Sequence, residues 1–224
     1  MSCVTTMDKK QLTKLISYFA MGDGGVYRRG NQNAQFIMQM KKENIDYVNW
    51  VASVLSNLVK VRVTDSPDYN SDGFTRQPQV RLESNNHPFL TKLRERIYTI
   101  DGHKSLDMHT LKLLDWEAMA ILFMSDGCTY EYLRPEIGMK TTSLNVTLNM
   151  KRLSEAEQLV LKQTIRDKLN VEFNVNKQNS YYYLRLRNRD VNKFMDGIEP
   201  FIVNSFKYKV IRMKSSEKSD GEIV

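Results

Sequence analysis

Two nine-residue stretches constrain this chain more than anything else in it. ISYFAMGDG spans 16–24 and MAILFMSDG spans 119–127. Each is an apolar run ending in a small residue, an aspartate and a glycine. They lie roughly a hundred residues apart, so the chain reads as one unit written twice. The same offset recovers further pairs. VRLESNNHPFL (80–90) lies over LRLRNRDVNKF (184–194), KVRVT (60–64) over NVEFN (170–174), and Lys104 falls at nearly the place of Lys209. The halves differ mainly in one loop, DSPDYNSDGFTRQPQ (65–79) against KQNS (177–180). Two copies are too few for a solenoid; a pseudo-twofold pair of packed units fits better.

Each half repeats one order of elements. An apolar helix ends at the Asp-Gly. Two strands follow, over 25–30 and 34–41 in the first half and over 128–133 and 143–149 in the second. An amphipathic helix comes next. Val48, Val51, Ala52, Leu55, Leu58 and Val59 carry its spacing in the first half, as one apolar face requires. In the second half, Ser154 with Glu157 three residues on forms a capping box. Two more strands and a closing helix complete the unit. The reading is an α+β fold of two αββαββα units, each a four-stranded antiparallel sheet with helices on one face. Residues 1–107 and 108–212 are the two repeats, and 213–224 is a polar tail expected to be disordered.

The strands alternate consistently. Gln35, Gln39 and Lys41 oppose Phe36, Met38 and Met40; Asn145, Thr147 and Asn149 oppose Leu144, Val146 and Leu148. Arg81 opposes Val80 and Leu82, and Arg185 and Arg187 oppose Leu184 and Leu186. One face suits a core. The other carries Gln, Asn, Arg and Lys, the side chains able to make bidentate contacts with base edges in a major groove. A net charge of +7 favours a polyanionic partner. No apolar run has the length of a membrane span, and the N-terminus lacks a signal-peptide core. Cys3 and Cys128 read as free thiols in a reducing compartment, and the three histidines are scattered without zinc spacing.

The paired aspartates require a reason. A carboxylate at a helix C-terminus meets the negative end of the helix dipole. The glycine after it suits a left-handed cap. If the two helices pair across the pseudo-twofold axis, Asp23 and Asp126 meet, repel and raise one pKa. A divalent cation relieves that repulsion.

With these features in place, the chain resembles single-chain, two-motif LAGLIDADG homing endonucleases, most closely the fungal mitochondrial intron-encoded type. The resemblance spans about residues 12–212 and includes LNMKRLSEAEQ and EPFIVNSFKYKV. It implies two motif helices at the interface between the halves and two sheets forming a saddle over duplex DNA. Asp23 and Asp126 would hold the metal, Mg²⁺, with Mn²⁺ or Ca²⁺ able to substitute in binding. The backbone carbonyls of Gly22 and Ser125 would assist. Lys104 and Lys209 would act at the scissile phosphates. Tyr18 and Ile121 stand where the family motif has its first glycine, which questions how closely the helices pack. The implied reaction is hydrolysis of one phosphodiester on each strand of a long, non-palindromic target.

Arg28, Arg29, Gln35, Gln39, Lys41, Arg62, Arg76, Arg81, Asn145, Thr147, Asn149, Asn174, Arg185 and Arg187 are the expected DNA-binding residues. The expected partner is double-stranded DNA, with no membrane and no obligate protein partner, and the protein is expected to be a monomer. Its place would be a bacterial or phage-infected cytoplasm, or an organelle matrix. A rival reading is a non-cleaving binder on the same fold, an intron maturase or a DNA-binding regulator. Paired acids and lysines favour the enzyme.

Overall fold

The computed structural model describes residues 7–66, 77–133 and 142–213. Each motif helix starts at an aspartate. Asp8 accepts hydrogen bonds from the Lys10 and Gln11 N–H groups to open α1 (Lys9–Met21), and Asp115 accepts from Ala118 N–H to open α5 (Trp116–Asp126). Such caps satisfy the unpaired donors of a first helical turn. Residues 14–21 of α1 and 118–124 of α5 are buried without a break. A helix apolar on every side belongs inside the fold, and here the two pack against each other. Lys14, 7% exposed, lies 2.5 Å from Asp115 and 2.8 Å from Glu117, joining the halves where these helices begin. Burial alone would lower the Lys14 pKa; the hydrogen bonds to the two carboxylates outweigh it and raise it.

Around this pair the two halves repeat. The first continues with β1 (Gly25–Tyr27), β2 (Gln35–Lys41), α2 (Ile45–Leu55), β3 (Val61–Ser66), β4 (Gln79–Ser84) and α3 (Pro88–Ile97). A short helix, α4 (Met108–Leu111), leads into α5. The second half has β5 (Gly127–Leu133), β6 (Thr142–Leu148), α6 (Glu155–Leu169), β7 (Phe173–Gln178), β8 (Tyr181–Leu186) and α7 (Val191–Ile198), then a 3₁₀ segment, Asn204–Lys209. The sheets are antiparallel and ordered β1-β2-β4-β3 and β5-β6-β8-β7.

The apolar members of the strand alternation face the core. Phe36, Met38, Val80, Leu82, Leu144, Val146, Leu148, Leu184 and Leu186 are buried. Edge-to-face aromatic pairs tie the helices below: Phe19 with Trp50 at 5.0 Å, and Phe123 with Phe194 at 5.3 Å between centroids. Ser154 and Glu157 make the expected capping box. Among the described residues no helix is long and apolar enough to cross a membrane.

Element ends differ from the sequence reading where the backbone turns. β1 stops at Tyr27, and Gly30, at φ 56°, takes part in the turn that follows. β7 starts only at Phe173, because Asn170 closes α6 in a left-handed conformation (φ 53°). Met213 and Asn192 exchange two hydrogen bonds, joining Met213 to the second half, while 214–224 lie outside the described residues.

Candidate active site and nucleic-acid interface

The ends of α1 and α5 open into one cavity of about 640 Å³. Both aspartates line it, with Gly22, Ser125, Lys104, Asn149, Lys151, Arg152 and Tyr98 among their neighbours. Glycine makes this meeting possible. A Cβ at Gly22 would lie 2.3 Å from Ser125 Oγ and 2.8 Å from Ser125 Cβ. The difference between MGDG and MSDG is thus complementary: one helix omits the side chain that the other supplies. Ser125 Oγ accepts a hydrogen bond from Asp23 N–H at 3.3 Å. The larger Tyr18 and Ile121 do not hold the helices apart here, and both are fully buried.

The glycines after the aspartates correct the cap expectation. Among the described glycines only Gly30 and Gly102 have positive φ, and Gly127 is extended. Close approach is the reason for glycine instead. A Cβ at Gly24 would meet the Phe36 ring at 2.2 Å, and one at Gly127 would meet the Phe123 ring at 2.2 Å and the Phe123 carbonyl oxygen at 2.4 Å.

Each motif helix receives a lysine at its C-terminal end. Lys104 Nζ donates to the Gly22 and Gly24 carbonyls at 2.5 and 2.7 Å. Lys209 Nζ donates to the Met124 and Phe123 carbonyls at 2.6 and 3.3 Å. The cations meet the negative helix ends and satisfy orphan carbonyls. The Gly22 carbonyl, expected to assist a metal, therefore already accepts an ammonium. Lys104 is delivered by a bridge between Tyr98 and Lys104 around a turn with Gly102 at φ 77°.

The charges are coupled across the cavity. Burial pushes the Asp126 carboxyl up to about 6, and Asp23 adds to the rise, against Lys104, Lys209 and Arg152. Asp23 is also raised by burial, opposed first by Lys209 and then by Lys104. Burial lowers Lys104 to about 8 despite the nearby carboxylates. It lowers Lys209 as well. Lys209 therefore acts most on Asp23, and Lys104 most on Asp126: each lysine bonds its own helix end but bears chiefly on the other half's acid.

Two carboxylates on one cavity, one raised to about 6 by burial and further by its neighbour, suit a hard divalent cation with oxygen ligands. Among the described residues no three His, Cys, Asp or Glu side chains converge. Water and phosphate oxygens would therefore complete the shell.

The expected DNA-binding residues divide by position. A second concavity, of about 530 Å³, runs from Asp23 over the first sheet and is lined by Arg28, Arg29, Gln39, Arg81, Tyr27 and Ile37. Gln39 pairs with Arg81 in the strand register, and Arg81 and Arg62 share Glu83. Hydrogen bonds from those two arginines hold the Glu83 carboxyl below the usual range. Gln35 begins β2 with partial exposure, and Lys41 ends it beside Glu43. In the second half Arg185 stands across from Thr147 and Asn174, Arg187 pairs with Glu172, and Asn149 lines the central cavity.

Asn145 and Thr147 depart from expectation. They lie on the polar side of β6 but are only 5% and 4% exposed. Their strand neighbours Tyr130, Cys128 and Arg185 flank them, and Asn149 bonds to Thr147. Arg76 lies outside the described residues. Arg152 and Tyr98 also line the cavity, with no spacing or repeat in the sequence to mark them. Arg152 lies in the strand–helix turn two residues before Ser154, and only the fold brings it to Asp126.

Two acids at the ends of paired helices, with a four-stranded antiparallel sheet in each half, match the architecture of a DNA endonuclease family. The family model of the LAGLIDADG DNA endonucleases matches residues 19–194, and the chain belongs to that family. It is similar to a probable intron-encoded endonuclease 1 of Wickerhamomyces canadensis, 26% identical over 212 residues, covering 92% of this chain and 86% of that protein. Protein RecA of Mycolicibacterium flavescens is 25% identical over 198 residues, covering 85% of this chain; the match spans 44% of that protein's length. Among solved structures, the homing endonuclease I-WcaI bound to its DNA recognition sequence superposes with a TM-score of 0.72 at 17% identity, over 94% of this chain and 89% of that one. The meganuclease I-SmaMI bound to uncleavable DNA does so at 0.57 and 12%, over 88% and 85%. At these identities the structural likeness is one of fold.

Proposed function

We propose that this endonuclease makes a double-strand break at a long, non-palindromic DNA site, with Mg²⁺ held between Asp23 and Asp126. The single observation that carries this reading is that both acids line one cavity. That cavity and the arginine-rich concavity over the first sheet share Asp23. The two unequal halves suit an asymmetric site. DNA-bound relatives of the same fold support duplex DNA as the partner.

Asp23 and Asp126 would hold the ion, with Ser125 and Lys104 fixing the backbone that presents them. When bound, the metal would activate water and stabilise the charge of the leaving oxygen. Lys104 and Lys209 keep a positive charge beside the acids and neutralise the helix ends. Asn149 and Arg152, on the cavity wall, are placed to meet phosphate oxygens.

The rate should have a bell-shaped pH profile at sub-saturating Mg²⁺. Asp126 must be ionised, giving an acid limb near 6, and the Lys104 charge is lost above about 8. Metal binding displaces the Asp126 proton, so raising Mg²⁺ should move the acid limb downward. Lys104→Arg should remove the alkaline limb, and Lys104→Met should slow cleavage by about 100-fold. A profile unchanged by Lys104→Arg would show that another group sets that limb.

DNA affinity should fall steeply with salt. About six phosphate contacts give a log–log slope near −5. Arg29→Ala should make that slope shallower by about one. Titration of a labelled duplex over a salt series measures both; a flat response would contradict a DNA-binding sheet surface.

A further inference from the structure

The segment that carries each lysine is tied to the half of the molecule to which it does not belong. Lys209 lies on the 3₁₀ segment Asn204–Lys209. Ser205 N–H in that segment donates to Asp46 Oδ2 at 2.9 Å, and Asp46 is in the first turn of α2, in the N-terminal half. The next residue on each side extends the contact. The Tyr47 and Phe206 rings meet edge-to-face, 5.4 Å between centroids, and the Lys209 ammonium lies 5.0 Å from the Phe206 ring centre.

Lys104 shows the reciprocal arrangement. Leu106 N–H, two residues after it, donates to Glu157 Oε1 at 2.8 Å. Glu157 is in the first turn of α6, the corresponding helix of the C-terminal half. Its other oxygen accepts from Ser154 N–H at 2.8 Å and Ser154 Oγ at 2.7 Å, which fixes the carboxylate.

We propose that Asp46 and Glu157 are positioning residues that clamp the lysine-bearing segment of the opposite half, so that each half completes the other's cleavage site. Two corresponding helices make this contact, each through an acidic first-turn side chain and a backbone N–H on the segment that carries a lysine. Asp46 Oδ1 accepts from Tyr47 N–H in its own first turn at 2.8 Å, which leaves Oδ2 for the other half. Burial pushes both carboxyls up, but the hydrogen bonds from Ser205, and from Leu106 and Ser154, outweigh it and hold both below the usual range. Both are therefore ionised at neutral pH, and their bonds to N–H are of the strong, charge-assisted kind. The clamp closes a circuit. Asp46 of the first half holds the segment of Lys209, whose charge falls first on Asp23 of the first half.

The clamp rests on the cleavage reading above, and two measurements separate them. The first is the nicking rate of each strand of a duplex carrying a site selected by the wild-type enzyme, end-labelled on either strand. Asp46→Ala should slow one strand about tenfold more than the other, and Glu157→Ala should reverse the bias. Asp46→Asn and Glu157→Gln keep an acceptor oxygen and should return both rates to within about twofold of wild type. The second is the NMR spectrum of full-length protein labelled with ¹³C at lysine Cε, with no DNA present. Asp46→Ala should move the Lys209 signal and leave Lys104 in place, and Glu157→Ala should do the converse. Equal slowing of both strands, or lysine signals that ignore the substitutions, would overturn the clamp. A wild-type protein that cuts no duplex would overturn the cleavage reading, and the spectrum would still decide the clamp.

Discussion

Asp126→Asn should abolish double-strand cleavage, by at least about 10³-fold, and make the metal-free protein more stable. The two effects share a cause. The native carboxyl is raised to about 6, well above its ordinary value, by burial and by Asp23. A group raised in the folded state contributes stability below its unfolded pKa, and that contribution is lost as pH rises through the folded value. At pH 7.5 the ionised Asp126 therefore costs about 1–2 kcal/mol, after discounting for its partial contact with water. Asparagine removes the charge and the cost together. Mg²⁺ should stabilise the wild type at that pH and leave the variant unmoved. Denaturation from pH 4 to 8, with chelator and with Mg²⁺, measures the effect, and plasmid linearisation measures the loss of activity. A variant that linearises its target at the wild-type rate would remove Asp126 from the reaction. A variant less stable than wild type at pH 7.5 without metal would show that the ionised Asp126 carries no such cost.

Gly22→Ala is the second large effect, and it acts through packing. The new Cβ would lie 2.8 Å from Ser125 Cβ, which cannot rotate away, so α1 or α5 must move. Overpacking of this kind costs about 2 kcal/mol. It also displaces Asp23, the next residue, relative to Asp126, and a shift approaching 1 Å at such a site costs about 100-fold in rate. Ser125→Gly should relieve the clash. The single Ser125→Gly change should cost the hydrogen bond to Asp23 N–H and the entropy of a glycine in the last turn of α5, about 1–2 kcal/mol together. The double variant should therefore be more stable than the sum of the singles predicts, by about 2 kcal/mol in a double-mutant cycle. Additive effects would mean that the helices do not cross at Gly22 and Ser125.

The fold was legible in the sequence because its strongest signal is repetition. Apolar runs at 16–24 and 119–127, alternation in VRLE and LRLR, and the Ser154 capping box each specify an element locally. Asp23, Asp126, Lys104 and Lys209 were legible because they recur at matched places. What sequence could not reveal depends on contact between distant residues. The glycines looked like left-handed caps, since a helix end followed by Gly commonly is one; only the neighbouring Phe36 and Phe123 rings show that space is the constraint. Alternation placed Asn145 and Thr147 on the polar face, but it carries no information about what flanks that face. Asp46 and Glu157 read as ordinary polar residues near helix starts until the fold brings them to the other half's segments, as does Arg152 until the fold brings it to Asp126.

Recovery of cleaved sites from a randomised duplex library tests the central claim most directly. Wild-type protein with Mg²⁺ should enrich one long asymmetric site cut on both strands, and the Asp23→Asn/Asp126→Asn double variant should enrich no cut site while still binding the wild-type site. Equal recovery by the double variant, or wild-type cleavage without sequence preference, would contradict a composite site built from the ends of α1 and α5.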